Sequence, residues 1–337
     1  MTVSRRALLM GGFASMALVG AGALTSCSTA PAGSGVAGKG GGQLVLWMWP
    51  DGFSKEVMSG VKDKFTNFPV RQDIIGGDFK QKLTTTFKGK SGLPGVTGVK
   101  GEDMPYFRSL PDNFIDLNTL GAKDLKSQYL DWKWQQGSTV DGRLIGFPID
   151  IGPTALFYRF DVFESAGLPS DPAEVSKRTA SWDDYLEMGK ELLSKKPGTF
   201  LIRNLSGVFD TVWRQQGAAF ISEDQKFIGD ESHVRFAWDT ALKALNSGAV
   251  AKIQNNTPDV AAAVSNGTLP ADFNASWHLS DLMNDAPDSS GKWHVANPPG
   301  GATNIGGSFL TIPTGTEDPE RSFEVIKFML NAENQAI

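Results

Sequence analysis

Three consecutive segments limit the fold of this chain more than any other feature. "QLVLWMW" (43–49) is an apolar run of strand length that reads as a buried strand. "SKEVMSGVKDKFTNF" (54–68) then changes period, with Val57, Val61, Phe65 and Phe68 at helical spacing. "VRQDII" (70–75) returns to a strand. The alternation continues. "RLIGFPI" (143–149) and "TALFYRF" (154–160) are strands separated by Gly152 and Pro153, and Ser181 and Asp184 bracket a helix start as a capping box. "SHVRFAWDTALKAL" places Val234, Trp238, Leu242 and Leu245 on one face, read as facing the core, with Gly248 as its C-cap. Asp318 and Pro319 begin a last helix through Phe323, Ile326 and Leu330. Strands alternating with helices predict an α/β fold with mainly parallel sheets. A chain of 337 residues that is 40% hydrophobic predicts two domains, and no internal repeat is visible.

The N-terminus reads as an export signal over 1–26: a basic head, "MTVSRR", then no charged residue until after Gly38. The apolar stretch 7–24 competes with a reading as a short membrane span, but it is Gly-rich and ends in Leu24, Thr25, Ser26 and Cys27. That ending resembles the bacterial lipobox, which implies lipidation of Cys27, and two acyl chains give stable anchoring where one does not. "SRRALL" also resembles a twin-arginine signal, so general secretory and twin-arginine export both stay open. Residues 27–42 then form a Gly/Ser-rich tether reaching roughly 20 Å. Gly33, Gly35 and Gly38 match a dinucleotide fingerprint by spacing alone, without the flanking strand and helix. Cys27 is the only cysteine, so disulfides and cysteine metal sites are not expected. With 32 basic against 37 acidic residues and no basic cluster, nucleic acid is not the expected partner.

Catalytic signatures are sparse. His233, His278 and His294 have no histidine partner at metal-binding spacing, and no nucleophile elbow or phosphate loop occurs, so neither a metal nor a cofactor is expected. The aromatic content points elsewhere. Nine tryptophans stand against four tyrosines, and flat aromatic faces stack on sugar C–H faces while Asp, Asn, Gln and Arg bind hydroxyls. Trp238 and Trp182 read as core, and Trp132 and Trp134 as cover for a sheet. Trp47, Trp49, Trp213 and Trp277 are the candidates by position.

"DGRLIGFPIDIGPTALFYRFDVFESAGLP" (141–169) resembles the passage between lobes in family 1 extracellular solute-binding proteins, with Arg159 where the family usually has Asn. "SWDDYLEMGKELL", "QQGAAFISEDQKF", "NGTLPADFNASWHLSDL", "NPPGGATNIGGSFLTIP" and "PERSFEVIKFMLNAENQ" resemble later family segments in the same order, so the likeness runs through most of 43–337. It implies a two-lobe periplasmic-binding-protein-like fold of type II, as in maltose-binding protein. Lobe 1 would hold 43–150 and 300–337, and lobe 2 would hold 151–299, with crossings near 149–153 and 296–300. A ligand would lie between the lobes. Position by position, the resemblance implies ligand contacts from Trp49, Asp51, Glu102, Asp103, Asp150, Tyr158, Trp213, Asn274, Trp277 and Ser308. Pro94, Gly95 and Val96 stand where the family has Pro-Asp-Val, which removes a cleft-edge carboxylate. The chain stops at Ile337, which reads as a truncation that omits the last helices of lobe 2 and bares apolar surface.

The implied function is a monomeric, lipid-anchored extracytoplasmic receptor that carries a sugar or oligosaccharide to the permease subunits of an ABC importer, without catalysis. Neutral sugars fit best, with a glycerol phosphodiester as another class of solute. Two alternatives remain: a surface hydrolase with a carboxylate pair, and an adhesion protein sharing the lobes.

Overall fold

The computed structural model describes residues 42–337 apart from 218–219, 223–225 and 256. The signal, Cys27 and nearly all of the tether lie outside the described residues. The chain runs β1 (Leu44–Met48), α1 (Lys55–Lys64), β2 (Val70–Ile74), α2 (Phe79–Gly89), β3 (Val96–Val99), α3 (Met104–Arg108), α4 (Asp131–Gly137) and β4 (Phe147–Pro148). It continues through β5 (Thr154–Arg159), α5 (Phe160–Ser165), α6 (Pro172–Arg178), α7 (Trp182–Lys195), α8 (Leu205–Gln215) and α9 (Ser232–Ser247). Then come α10 (Pro258–Ser265), β6 (Ala271–Ala275), α11 (His278–Asp285), β7 (Trp293–Ala296), β8 (Phe309–Thr311), α12 (Pro319–Met329) and α13 (Ala332–Gln335).

Two sheets organise two lobes. One has strand order β2-β1-β3-β8-β4 and the other β6-β5-β7. Strand β1 shows why the first sheet sits in the middle of its lobe. Leu44, Leu46 and Met48 face Val57 and Val61 of α1 and Phe323 and Ile326 of α12. Val45 and Trp47 face Phe79, Leu83 and Phe87 of α2 and Met104 of α3. Both faces of the strand are therefore buried, at roughly 1.5–3 kcal/mol per large side chain. In the second sheet, Leu156 and Tyr158 of β5 point toward α7 and α8, while Phe157 points toward α10 and α11.

The expectation of mainly parallel sheets needs correcting. Among the named strands, only β1 with β2 and β1 with β3 pair parallel, and one isolated parallel bridge joins Ile202 to Val250. Strands β8, β4, β6 and β7 all pair antiparallel. The chain enters and leaves the second lobe through neighbouring strands that run in opposite directions. Only the β1-α1-β2 and β2-α2-β3 stretches use helical crossovers that return a strand parallel.

The capping box forms as expected. Ser181 accepts from the Asp184 N–H, and the Asp184 carboxylate accepts from the Ser181 N–H. Helix α9 presents the opposite face from the one expected. Ala237, Thr240, Ala241 and Ala244 are buried, whereas Trp238 is 60% exposed and Leu242 and Leu245 are also exposed. The alanine stripe lets α9 approach α8 and α7 closely, and close axial approach favours small side chains. The large residues then fall on the outer side.

The segment 149–153, expected as the first crossing, runs beside 303–308. The stretch paired with 149–153 is thus 303–308, past the expected 296–300. Pro299 and Gly301 are still held by Gln215 of α8, and Gly300 donates its N–H to Ala180 O, so that stretch belongs to the second lobe. The two crossings run antiparallel. Ile149 N–H donates to Ser308 O (2.9 Å), Ile305 N–H to Gly152 O (2.9 Å) and Thr154 N–H to Thr303 O (2.9 Å). Asn304 Oδ1 accepts from Gly152 N–H at 2.8 Å.

Candidate functional site

The β3–α3 loop, through Gly101, and Trp277 after β6 both touch the crossings. Strand β1 delivers Trp49 to its C-terminal end, where the indole packs edge-on against Phe79 at 5.6 Å and covers Gly98 of β3. Lys100 Nζ lies 5.7 Å from the same ring. Asp51 follows in the left-handed region (φ 56°) and is exposed. The β3–α3 loop brings an exposed Glu102 and a half-buried Asp103, and Asp103 pairs with Lys80 at 3.1 Å. Gly101 of this loop rests against the carbonyls of Gly306 and Gly307, where no Cβ would fit. From the other side, Asp150 accepts the Ser308 N–H at 2.7 Å, so one carboxylate ties both crossings together.

Trp277 follows β6 and is 39% exposed. Its ring lies against Gly152 of the first crossing and Gly306 of the return crossing. A Cβ at Gly152 would enter the ring and the Ile305 carbonyl closer than any real Cβ approaches. Asn274, three residues earlier, turns its Oδ1 onto the Ala275 N–H (2.8 Å) and faces a groove of about 170 Å³ on the second lobe. Arg203, Asp210, Arg214, Asn255 and Asp272 line the same groove, and Ile305 of the return crossing closes it.

The expected site residues therefore fall into three groups. Asp150 and Ser308 stand on the crossings, Trp277 lies against them, Asn274 lines the adjacent groove, Glu102 and Asp103 follow Gly101, which touches the return crossing, and Trp49 and Asp51 stand at the end of β1 beside Gly98 and Lys100. Trp213 stands behind the groove. Its Nε1–H donates to Asp210 Oδ1 (3.1 Å), and the Arg214 guanidinium stacks over its ring at 4.5 Å, so it orients two lining residues. Tyr158 must be removed from the set. It is fully buried, stacks on Phe163 and donates its hydroxyl to Ser170 O at 2.7 Å. As a mid-strand residue on the α7 and α8 side of β5, it belongs to the core. Burial, reinforced by Asp171, pushes its phenol up to about 12.

A charged network under the groove escaped the sequence reading. Asp272, a lone acid in the apolar strand β6, is gripped by Arg203 Nη2. His278 Nε2 lies 2.8 Å from the same Oδ2, although off the N–H axis, and His278 Nδ1 lies 3.1 Å from Asp281 Oδ2. Burial opposes a charge on His278, but the carboxylates of Asp272 and Asp281 beside it outweigh that and raise the imidazole to about 9. His278 is thus an imidazolium at neutral pH. No local spacing predicts this network, because Arg203 and Asp272 are 69 residues apart. The only signals were the isolated acid in an apolar strand and the position of His278 next to Trp277. His294, read as a strand residue, lies in β7 and stacks on Phe160 at 4.4 Å.

Chemically, the region offers a flat ring, several carboxylates that already accept hydrogen bonds, and guanidiniums fixed by stacking or pairing. This set suits directional recognition of a polyol. Among the described residues, no group of three or more His, Cys, Asp or Glu is placed to hold a metal ion.

Comparison with known proteins bears on the same region. The family model for bacterial extracellular solute-binding proteins matches residues 81–337. The lactose-binding protein of Rhizobium radiobacter is 26% identical over 304 residues, which cover 85% of this chain and 69% of that protein. The arabinooligosaccharide-binding protein of Bacillus subtilis (strain 168) is 23% identical over 323 residues, covering 86% of this chain and 70% of that protein. A crystal structure of a family 1 extracellular solute-binding protein superposes with a TM-score of 0.77 at 28% identity, covering 87% of this chain and 76% of the other.

Proposed function

This chain belongs to the bacterial extracellular solute-binding proteins, and from that premise we propose that it is the sugar or oligosaccharide receptor of an ABC importer. The cargo lies between the lobes, and the lobes close on it by rotation about the two crossings. Lobe 1 comprises 43–150 with the stretch after the return crossing, and lobe 2 comprises the segment between the crossings. Trp277 supplies the stacking face. Trp49, Asp51, Glu102, Asp103, Asp150, Asn274 and Ser308 supply polar contacts, and Trp213 fixes Asp210 and Arg214. The protein performs no reaction. It works as a monomer on the outer side of the membrane, held by acyl chains on Cys27, and hands its cargo to the permease. An affinity in the micromolar range, about −8 kcal/mol, would permit both capture and release.

The observation that carries this reading is the half-exposed Trp277 ring lying on both crossings, beside a groove lined by paired charges. The sugar-binding relatives support the class of cargo. Titrating intrinsic tryptophan fluorescence with a panel that includes lactose and arabinooligosaccharides tests it. A saturable change with at least one saccharide is expected, and a natively folded protein that responds to none of them removes the sugar assignment. Replacing Cys27 with Ala should release the protein from the membrane fraction. Unchanged membrane retention would refute the anchor.

A further inference from the structure

The groove on the second lobe carries an unbalanced set of hydrogen-bonding groups. Asn204, Asn255 and Asn274 line it, and each has already spent its amide oxygen. Asn274 Oδ1 accepts from the Ala275 N–H at 2.8 Å. Asn204 Oδ1 accepts from the Gly207 N–H at 2.9 Å, so its amide nitrogen is the group that reaches Ile253 O at 3.0 Å and Asn255 Oδ1 at 2.8 Å. Those backbone partners fix which way each amide faces. The amide nitrogens of Asn255 and Asn274 are left with no acceptor among the described residues.

Arg214 adds the strongest donor. Its guanidinium stacks over the Trp213 ring at 4.5 Å, its Nε is buried without a partner, and no carboxylate pairs with it among the described residues. The acids of the groove are already engaged. Asp210 Oδ1 accepts the Trp213 indole N–H at 3.1 Å. Asp272 Oδ2 lies against both Arg203 Nη2 and His278 Nε2, two cationic side chains on one carboxylate. The groove is therefore rich in free donors and poor in free acceptors. A neutral hydroxyl both donates and accepts, and finds only part of what it needs here. A carboxylate accepts only, and its two oxygens match the planar fork of a guanidinium.

We propose that this groove seats the carboxylate of an acidic sugar, with Arg214 supplying the guanidinium fork, the Asn255 and Asn274 amides supplying further donors, and Asp210 accepting from a hydroxyl. The inference rests on the cleft-receptor reading and narrows its cargo to saccharides that carry a uronic acid. A sequence with no basic cluster predicts a neutral cargo, but folding gathers Arg203, Arg214 and His278 from three separate segments. Stacking on the indole holds the Arg214 fork in place before a ligand arrives, so less side-chain freedom is lost on binding.

Calorimetric titration of the full protein tests this with matched disaccharide pairs, one member ending in glucuronate or galacturonate and the other in the neutral hexose. A hexose phosphate is included as a second kind of anion. The acidic member of at least one pair should bind about tenfold tighter or more at low salt, and its advantage should shrink at high salt. Arg214→Gln should lower the acidic-to-neutral affinity ratio by about tenfold, and Arg214→Lys should restore only part of it, because an ammonium keeps the charge without the fork. If Arg214→Gln does not fold, Asp210→Asn serves. Its amide oxygen can still accept the Trp213 N–H, and loss of a like charge should raise the same ratio. Neutral members bound as tightly as acidic ones, or a ratio unmoved in these variants, overturns the inference and leaves the receptor reading standing. Preference for the hexose phosphate over every uronate overturns the carboxylate assignment. If no saccharide binds, acidic or neutral, the receptor reading and this inference both fall.

Discussion

Replacing Gly152 with alanine should cost far more than one methyl group ordinarily would. Gly152 has no left-handed backbone requirement, so the effect is purely one of space. The new Cβ would enter the Ile305 carbonyl oxygen on one side and the Trp277 ring on the other. Neither can move away freely, because Ile305 N–H donates to Gly152 O at 2.9 Å and Gly152 N–H donates to Asn304 Oδ1 at 2.8 Å. Separating the crossings enough to admit the methyl group loosens both bonds, at about 1 kcal/mol each. Overpacking against the indole adds about 1–3 kcal/mol. A destabilisation of about 3 kcal/mol is expected, with a shift in tryptophan emission as Trp277 leaves its seat. Urea unfolding followed by circular dichroism measures the first and fluorescence the second. Gly76→Ala is the control, since a Cβ there meets nothing within 4 Å. If Gly152→Ala unfolds within about 0.5 kcal/mol of wild type with unaltered emission, the steric reasoning is wrong.

Other expectations follow from the same geometry. Because His278 is raised from 6.5 to about 9 in the folded protein, its contribution is fully present below pH 6.5 and is lost as pH rises through 9. Its size is on the order of 2–3 kcal/mol, so urea unfolding at pH 6 and 9.5 should show a loss in wild type that His278→Gln lacks. Parallel profiles would exclude it. Trp277→Ala should weaken saccharide binding at least tenfold, about 1.4 kcal/mol, while unfolding stays cooperative. Unchanged affinity would end its stacking role. Trp238→Gln should change stability by no more than about 0.5 kcal/mol and reduce binding of a hydrophobic dye. A loss of several kcal/mol would return Trp238 to the core.

Some of this structure is legible in the sequence, and the reasons differ by element. The β1 run could be read because a strand buried on both faces must be apolar throughout, and Leu44 to Met48 are all buried. The α7 start could be read because its cap uses residues three apart. The α9 face could not be read from apolar spacing, because the helix carries two candidate stripes. Packing chose the one built from Ala237, Ala241 and Ala244 over the one holding Trp238 and Leu242. Tyr158 came with the family resemblance, and a motif match does not show that its ring is buried against Phe163 with its hydroxyl on Ser170 O. The stretch paired with 149–153 is 303–308 and not 296–300, because Gln215, distant in sequence, holds Pro299 and Gly301. The pairing of Arg203 with Asp272 and His278 depends wholly on tertiary contact, so no window of sequence contains it.

The seat of Trp277 has a consequence for how such a receptor can change its cargo. An indole lodged against Gly152 and Gly306 is constrained by the backbone it touches, whatever it binds on its open side. Substituting it disturbs the joint between the lobes as well as the cavity. Variation that retunes selectivity while sparing the joint is therefore channelled to side chains such as Asp210, Arg214 and Asn255, which line the groove and do not share that seat. A library directed at those three positions, with Trp277 held fixed, would explore new solutes at the least risk to folding.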